Sequence, residues 1–392
     1  MSRRVTRSTT THDRNSLTLP VEVVTEILSR LPSKSIARCR CVCKLWSSVI
    51  RSQDFTDSFF TRSLARPPRL LFACEDHSEV HFFSSPQPEN PPEDNSRVVA
   101  TNHIARSPRY DKLFGCTNGF FCYGAKRILR GWNKQLFFTV ICNPSTGQSL
   151  TLPRLNSKLC HRMESYLGYD PIAKQYKVLS VCDGREPHVC YGKEFHVLTL
   201  GTKKPSWRAV ECCIPHYSSG EWVCISGVLY YIASEIRYSV ESMVVCFDLR
   251  TEKFSSVWLY RRFGGAYSTS LTNYNGRLGF LMSSGDYDYV SGACKRFELW
   301  VLGDAAKHEW FKHVYVLPPF WKHVVEDRYY FAGMVGVDEI VLAPMFQYVP
   351  SYVIYYNVKS KTIRKVRIQG MEALQGKRLH TYLNYVENVK LL

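Results

Sequence analysis

Two periodicities divide the chain. Between residues 17 and 66, apolar side chains recur at three- and four-residue intervals, the spacing of one face of an α-helix. Leu19-Pro20 opens this stretch, with the proline where a first helical turn has no use for its missing N–H. Val23, Val24, Ile27, Leu28 and Leu31 follow at helical spacing, and Glu22 and Glu26 lie near the positive N-terminal end. Leu31-Pro32 stops this helix, and Ser33 is placed to cap a short second one through Ile36 and Arg38. Val42, Leu45, Trp46, Val49 and Ile50 mark the apolar face of a third. So small a unit cannot bury this many apolar groups internally, and the surplus predicts a partner surface. Phe55, Phe59, Phe60 and Leu64 continue the pattern up to Pro67-Pro68, as a connector.

From residue 69 the pattern changes to apolar and aromatic stretches of strand length separated by Gly, Pro, Asn and Asp. A unit recurs: an apolar strand, a polar turn, then a second strand often opened by an aromatic such as Trp207, Phe254 or Trp310. A Gly-led strand precedes each unit, at Gly119, Gly168, Gly227, Gly276 and Gly336, spaced 49, 59, 49 and 60 apart. That is close to the roughly 50-residue period of kelch-like propeller blades. The phase at Gly168 is loose. Asn118-Gly119 and Asn275-Gly276 are hairpin turns in which both residues tolerate positive φ. Five blades are visible between about 115 and 370. Arg69–Cys74, Val80–Ser84 and the C-terminal Tyr382–Leu392 pair as a sixth, which removes exposed sheet edges. The expected fold class is therefore α+β: a small three-helix unit, then a large all-β domain built as a propeller of about six degenerate blades. A β-sandwich is the alternative.

Composition narrows the class. The chain has 392 residues, 45% hydrophobic and 14% aromatic, enough for a packed core. No apolar run approaches the ~20 residues that span a bilayer, so no membrane is expected. Residues 1–16, with Arg3, Arg4, Arg7 and Arg14 among Ser and Thr, read as a disordered basic tail without a secretory core. Fifteen cysteines at irregular spacing fit a reducing compartment, cytoplasm or nucleus. The net charge of +17 favours an acidic partner, but no dense basic stripe marks a nucleic-acid site.

The helical region carries a recognisable constellation. Leu19-Pro20, Glu22, Ile27-Leu28, Arg30-Leu31-Pro32, Lys34-Ser35-Ile36, Arg38, Val42-Cys43-Lys44, Trp46 and Ile50 stand at fixed offsets that resemble the F-box, over residues 17–56. The resemblance implies a three-helix motif docking on the Skp-type adaptor of a cullin ubiquitin ligase. Leu19, Pro20, Ile27, Leu28, Leu31, Pro32, Val42, Cys43 and Trp46 would divide between motif core and adaptor interface. Residues 57–68 are the connector. Within the β-rich region 69–392, Gly115-Cys116-Thr117-Asn118-Gly119-Phe120, Asn143-Pro144-Ser145-Thr146-Gly147, Leu152-Pro153, Leu167-Gly168-Tyr169-Asp170-Pro171 and Tyr176-Lys177-Val178 resemble the F-box-associated interaction domain of the large plant F-box family. That domain is taken to bind the protein to be ubiquitinated. The chain is thus expected to be a non-catalytic substrate receptor, without cofactor.

Other chemistry is weaker. Cys39, Cys41 and Cys43 lack a second ligand pair for a tetrahedral metal, and Cys43 reads as a small buried hydrophobe, so no metal site is expected. Cys212-Cys213 reads as structural too. His308, His313 and His323 with Asp304 and Glu309 scatter over strand faces. Asp286 and Asp288 form a lone DxD in a turn. Lys361, Lys365 and Arg367 share strand parity, as a basic patch or a solvated outer face. Tyr287, Tyr289, Trp321 and Tyr348, in or beside loops, are the candidate target-binding residues, because Tyr and Trp are enriched at hot spots. Tyr329, Tyr330 and Tyr352 lie near them. A basic nucleic-acid-binding β-domain and a propeller enzyme are the alternative functions.

Overall fold

A computed structural model describes residues 19–390 except 78, 89–96, 109, 130–133, 158–161, 184–192, 235–240, 263–267 and 285–286. The tail 1–16 and Asp286 lie outside the described residues. Four helices come first: α1 (Val21–Arg30), α2 (Ser33–Cys39), α3 (Lys44–Arg51) and α4 (Gln53–Leu64). The apolar run after Ser52 is therefore a fourth full helix, which crosses the expected boundary at 56/57. Two expected helix starts are revised. Pro20 and Pro32 occupy the N-cap positions of α1 and α2, and Ser33, the first residue of α2, makes no cap with its side chain. Side-chain caps come instead from Cys43 Sγ, which accepts from the Trp46 N–H at 3.5 Å, and Ser52 Oγ, which accepts from the Phe55 N–H at 3.3 Å.

Six antiparallel sheets follow, arranged as a six-bladed propeller. Five are continuous in sequence. They run from Tyr110–Thr117 to Gln148–Thr151, Arg162–Asp170 to Arg208–Val210, Tyr217–Ile225 to Phe254–Arg262, Thr269–Tyr274 to Glu309–Val316, and Tyr329–Val335 to Ile363–Gln369, each from the inner strand outward. The sixth joins both ends of the domain. Its order from the axis is Arg378–Tyr385, Arg69–Asp76, Glu79–Pro86, Thr101–Pro108. Leu71 faces Tyr382 and Phe72 faces Thr381 across this closing ladder. The sheet ends at Tyr385, however, so residues 386–390 are not strand, and residues 391–392 lie outside the described residues. Arg97–Val99 adds a short parallel strand outside Ile363–Gln369, with Arg97 opposite Arg367. The edge bearing Lys365 and Arg367 is therefore partly covered, and Lys365 Nζ lies 5.0 Å from the Tyr352 ring.

Local chemistry explains the repeat. At Asn118-Gly119 φ is 48° and 85°, and at Asn275-Gly276 it is 49° and 80°, as a tight antiparallel hairpin requires. The loose phase at Gly168 has a packing cause. This glycine lies inside an inner strand, where a Cβ would sit 2.5 Å from Leu249 Cδ1 of the next blade. The aromatics that open outer strands hook the preceding blade: Trp207 Nε1 donates to the Pro153 carbonyl at 2.7 Å, and Trp310 Nε1 to the Trp258 carbonyl at 3.0 Å. Blade faces pack through continuous apolar clusters, such as Phe297, Phe331, Ile340 and Tyr356 between the last two blades in sequence.

Strand direction alternates among the four main strands of every blade, so turns between first and second and between third and fourth strands emerge at one end of the propeller. The remaining connections emerge at the other. The helices pack at the first end, which we call the proximal face. Asp57 of α4 meets Lys174 Nζ at 3.4 Å, the Phe60 ring stands 6.3 Å edge-on from Tyr169, and Gln148, with its amide oxygen turned toward Arg40, accepts guanidinium bonds at 2.9 and 3.1 Å. The first of these is an exposed pair worth about 0–1 kcal/mol.

The chain end supplies the rest of the junction. After Tyr385 it leaves the closing blade, and Val389, 1% exposed, enters the helix core beside Val24, Leu28, Ile36, Ile50 and Phe59. Burial of such a side chain contributes about 1.5–3 kcal/mol. Asn388 is also buried. Its Nδ2 donates to the Asn118 carbonyl and to Tyr176 Oη, both at 3.0 Å, and its carbonyl accepts from Asn143 Nδ2 at 2.7 Å. Gly119 is required here a second time, since a Cβ would lie 2.5 Å from the Val386 carbonyl oxygen.

One buried titratable group makes stability depend on pH. His216 Nδ1 donates to the Ile214 carbonyl and Nε2 accepts from Tyr231 Oη, both at 2.8 Å, which fits a neutral ring. Burial lowers its pKa from 6.5 to about 4, against the Ile214 hydrogen bond. Between these values the unfolded chain holds a proton that the folded chain does not. Stability is therefore fully present above pH 6.5 and is lost as pH falls toward 4, by about 1.4 kcal/mol per unit. Urea denaturation from pH 7 to pH 4.5 should show this slope, and His216→Gln should flatten it.

Candidate functional site

Helix α1 carries more apolar surface than its own core can use. Val24 and Leu28, four residues apart, face inward and are buried, while Val23 and Ile27, offset by about 100° around the helix, stay exposed. Leu19, Val21, Val42 and Leu45 are exposed as well, Val42 to 62%. The nine residues singled out from the sequence thus separate physically. Leu28 belongs to the core, and Leu31 and Trp46 are half-buried against it. Leu19, Pro20, Ile27, Pro32, Val42 and Cys43 face solvent. Cys43 is therefore not the buried hydrophobe expected, because as an N-cap its sulfur turns toward the first turn of α3. Lys34, Arg38 and Lys44 add exposed positive charge to the same small unit.

The propeller's other end, its distal face, holds most of the remaining candidates. Tyr287, 52% exposed, stacks on Tyr289 at 5.0 Å with 16° between the planes, and the Arg328 guanidinium lies 5.0 Å from the Tyr289 ring. Tyr348, half-buried beside Phe346 at 6.4 Å, and exposed Phe320 and Val349 occupy connections that open on this face. Trp321 does not contribute. It is 1% exposed, edge-on to Phe297 at 5.3 Å, and its Nε1 donates to the Ser291 carbonyl at 3.0 Å. The short helical turn Pro319–His323 directs this side chain inward and presents Phe320 in its place. Tyr329 is also core, and Tyr330 Oη accepts from the Thr381 N–H at 2.6 Å at the channel wall. Exposed charges around Arg328 are mixed: Lys322 and His323 against Asp288, Glu326 and Asp327. Shape and aromatic surface, rather than net charge, characterise this patch.

A channel of about 1040 Å³ runs between the inner strands, bordered by Lys112, Glu221, Thr269, Thr272, Arg378 and His380 among others. Behind its wall, Glu164 is almost fully buried and receives Lys112 Nζ at 2.6 Å, Arg162 at 2.7 Å, Tyr166 Oη at 2.9 Å and Ser218 Oγ. Desolvation opposes its charge, but Lys112 and the other donors outweigh it and lower the pKa. Glu221 differs. Its side chain is exposed within the channel, and desolvation by the surrounding protein raises its carboxyl to about 8. His380 Nε2 lies 2.7 Å from Glu75. These groups are spread along the wall rather than converging on one reacting atom.

Among the described residues no group of three or more His, Cys, Asp or Glu is placed to hold a metal ion, and the thirteen described cysteines are free thiols. Burial pushes Cys74 and Cys116 up to about 12, so these are unreactive packing groups. Cys41 and Cys213, in contrast, are exposed.

The chain matches two family models: F-box domain, over residues 16–58, and F-box associated beta propeller domain, over residues 69–386. F-box protein DOR of Arabidopsis thaliana is 47% identical over 384 residues, which covers 97% of this chain and 95% of that protein. F-box protein At5g65850 of Arabidopsis thaliana is 45% identical over 397 residues, covering 100% and 95%. Among solved structures, the β-propeller domain of the Trilobed protease from Pyrococcus furiosus aligns with a TM-score of 0.39 at 12% identity, over 68% of this chain and 71% of that one.

The partition within α1 predicts opposite outcomes for adjacent residues. Leu28→Ala should destabilise the helical unit by about 2–5 kcal/mol, and Ile27→Ser should stay within about 0.5 kcal/mol. Denaturant titration followed by helical circular dichroism measures both.

Proposed function

The chain belongs to the plant F-box proteins that carry an F-box associated β-propeller domain, and on that premise we propose that it is the target receptor of a cullin ubiquitin ligase. The observation that carries this reading is the exposed apolar set Leu19, Val23, Ile27, Val42 and Leu45, on a helical unit whose core is already complete without it. Left bare, such a surface costs solubility; covered by an adaptor of the Skp type, it becomes the centre of an interface. The neighbouring lysines and arginines form a polar rim suited to an acidic adaptor. In this reading the chain carries out no bond chemistry. Its work is to hold two proteins at a fixed distance.

The target-binding surface is assigned to the distal face, on the stacked Tyr287 and Tyr289, Arg328, Tyr348 and Phe320. Two arguments support this. Rigid, partly exposed aromatics lose little entropy on binding. The face also points away from the helices, so a bound target would not collide with the adaptor.

Ile27→Lys and Val42→Glu should each weaken adaptor binding, by calorimetry with purified proteins, at least about 30-fold. Adaptor affinity equal to wild type in both variants, with the helices still folded, would remove the ligase assignment. A Tyr287→Ala/Tyr348→Ala double variant should keep adaptor affinity and lose the proteins that wild type captures for ubiquitination. Capture that is unaltered would move the target site elsewhere on the propeller.

A further inference from the structure

The last described residues belong to both halves of the molecule. Tyr385 ends the strand that closes the propeller, with its hydroxyl 2.6 Å from Ser145 Oγ. Four residues later Val389 is inside the helix core. Between them Asn388 is clamped at the proximal ends of two adjacent blades, through Asn118 and Asn143 of one and Tyr176 of the next. Glu387 Oε2 receives the Ser33 N–H at 3.4 Å, and Lys390 Nζ lies 5.9 Å from the Tyr176 ring. The helices are thus attached to the propeller twice: by the covalent link from α4 to Arg69, and by this tail. A single link leaves rotation about itself free. A second attachment removes it, and four residues reach too short a distance to slacken. The junction contacts described above, an exposed ion pair, one ring edge and one guanidinium–amide pair, are each weaker than buried, hydrogen-bonded attachment.

We infer that Asn388 and Val389 are positioning residues, which lock the helices onto the propeller at one angle and thereby set the separation between the adaptor-docking face and the distal face. Its functional meaning rests on the receptor reading above; its geometry does not. The residues touch neither adaptor nor target. They act by fixing where the target is presented.

The test measures the angle directly in the full chain. Spin labels on unnatural amino acids at Lys34 in α2 and Lys307 on the propeller, both exposed, report one distance distribution by pulsed electron resonance. Wild type should give one narrow peak. In Asn388→Ala, which leaves the helix core intact, and in Val389→Asp the peak should broaden at least about twofold, while adaptor affinity stays within about threefold of wild type. Broadening in Asn388→Ala alone, with Val389→Asp unfolding the helices, also supports the inference. A narrow peak in Asn388→Ala overturns it, because the remaining contacts then suffice. So does loss of adaptor binding in that variant. Failure of wild type to bind any Skp-type adaptor would count against the receptor reading alone, since the distance measurement stands without it.

Discussion

The pairing of Arg69–Asp76 with Arg378–Tyr385 is the constraint on which the molecule depends. A ring of blades is left with a gap unless its last blade is completed, and here completion needs strands from both ends of the domain. Until the C-terminal strand docks, the innermost position of one blade is vacant, and the inner strand Tyr329–Val335 lacks its neighbour on one side. The blades in between are local hairpins that form from adjacent sequence. The closing pair is the non-local step, and it is reinforced by buried packing of Leu71 and Phe82 with Tyr385.

Closure also determines where the two exposed surfaces lie. The C-terminal strand runs toward the proximal face, so the residues after it emerge among the turns at Asn118 and Asn143. The helices that precede Arg69 reach the same end, because its strand lies antiparallel beside the closing one. Helices and tail therefore meet at one face, and the aromatic patch at Tyr287 and Tyr289 is left at the other. The opposite placement of the two surfaces follows from strand parity rather than from any particular side chain. Polar anchoring deepens the arrangement: buried Glu164 with Lys112 and Arg162 ties neighbouring inner strands, as Lys177, in the second strand of one blade, ties to Glu252 in a turn of the next.

Much of this was legible in the residue order, where each signal is local. Helical periodicity located α1 to α3, and the Asn-Gly hairpins and recurring glycines marked the blades, because a tight turn restricts residue type directly. The motif Leu19-Pro20 to Trp46 identified the helical unit, and the apolar surplus in it pointed to a partner. What side each of those residues faces was not legible. Val23 and Val24 are equivalent letters, and only the packing of α3, α4 and Val389 against α1 decides which is core. Cys43 and Trp321 show the same limit. A capping sulfur and a loop-flanking indole have no sequence signature of burial, and the structure places the first outside and the second inside.

The sequence by itself therefore determined the kind of element, the repeat and the family, since these rest on interactions within a few residues or on motifs at fixed offsets. The tertiary structure alone decided which apolar residues are left for a partner, which propeller face is free and how the helices are held to the blades. Those properties depend on contacts between segments remote in the chain. Asn388 and Val389 illustrate the difference: as letters near the end of the chain they carry no signal, and in space they stand between two domains that neither local propensity nor spacing relates to one another.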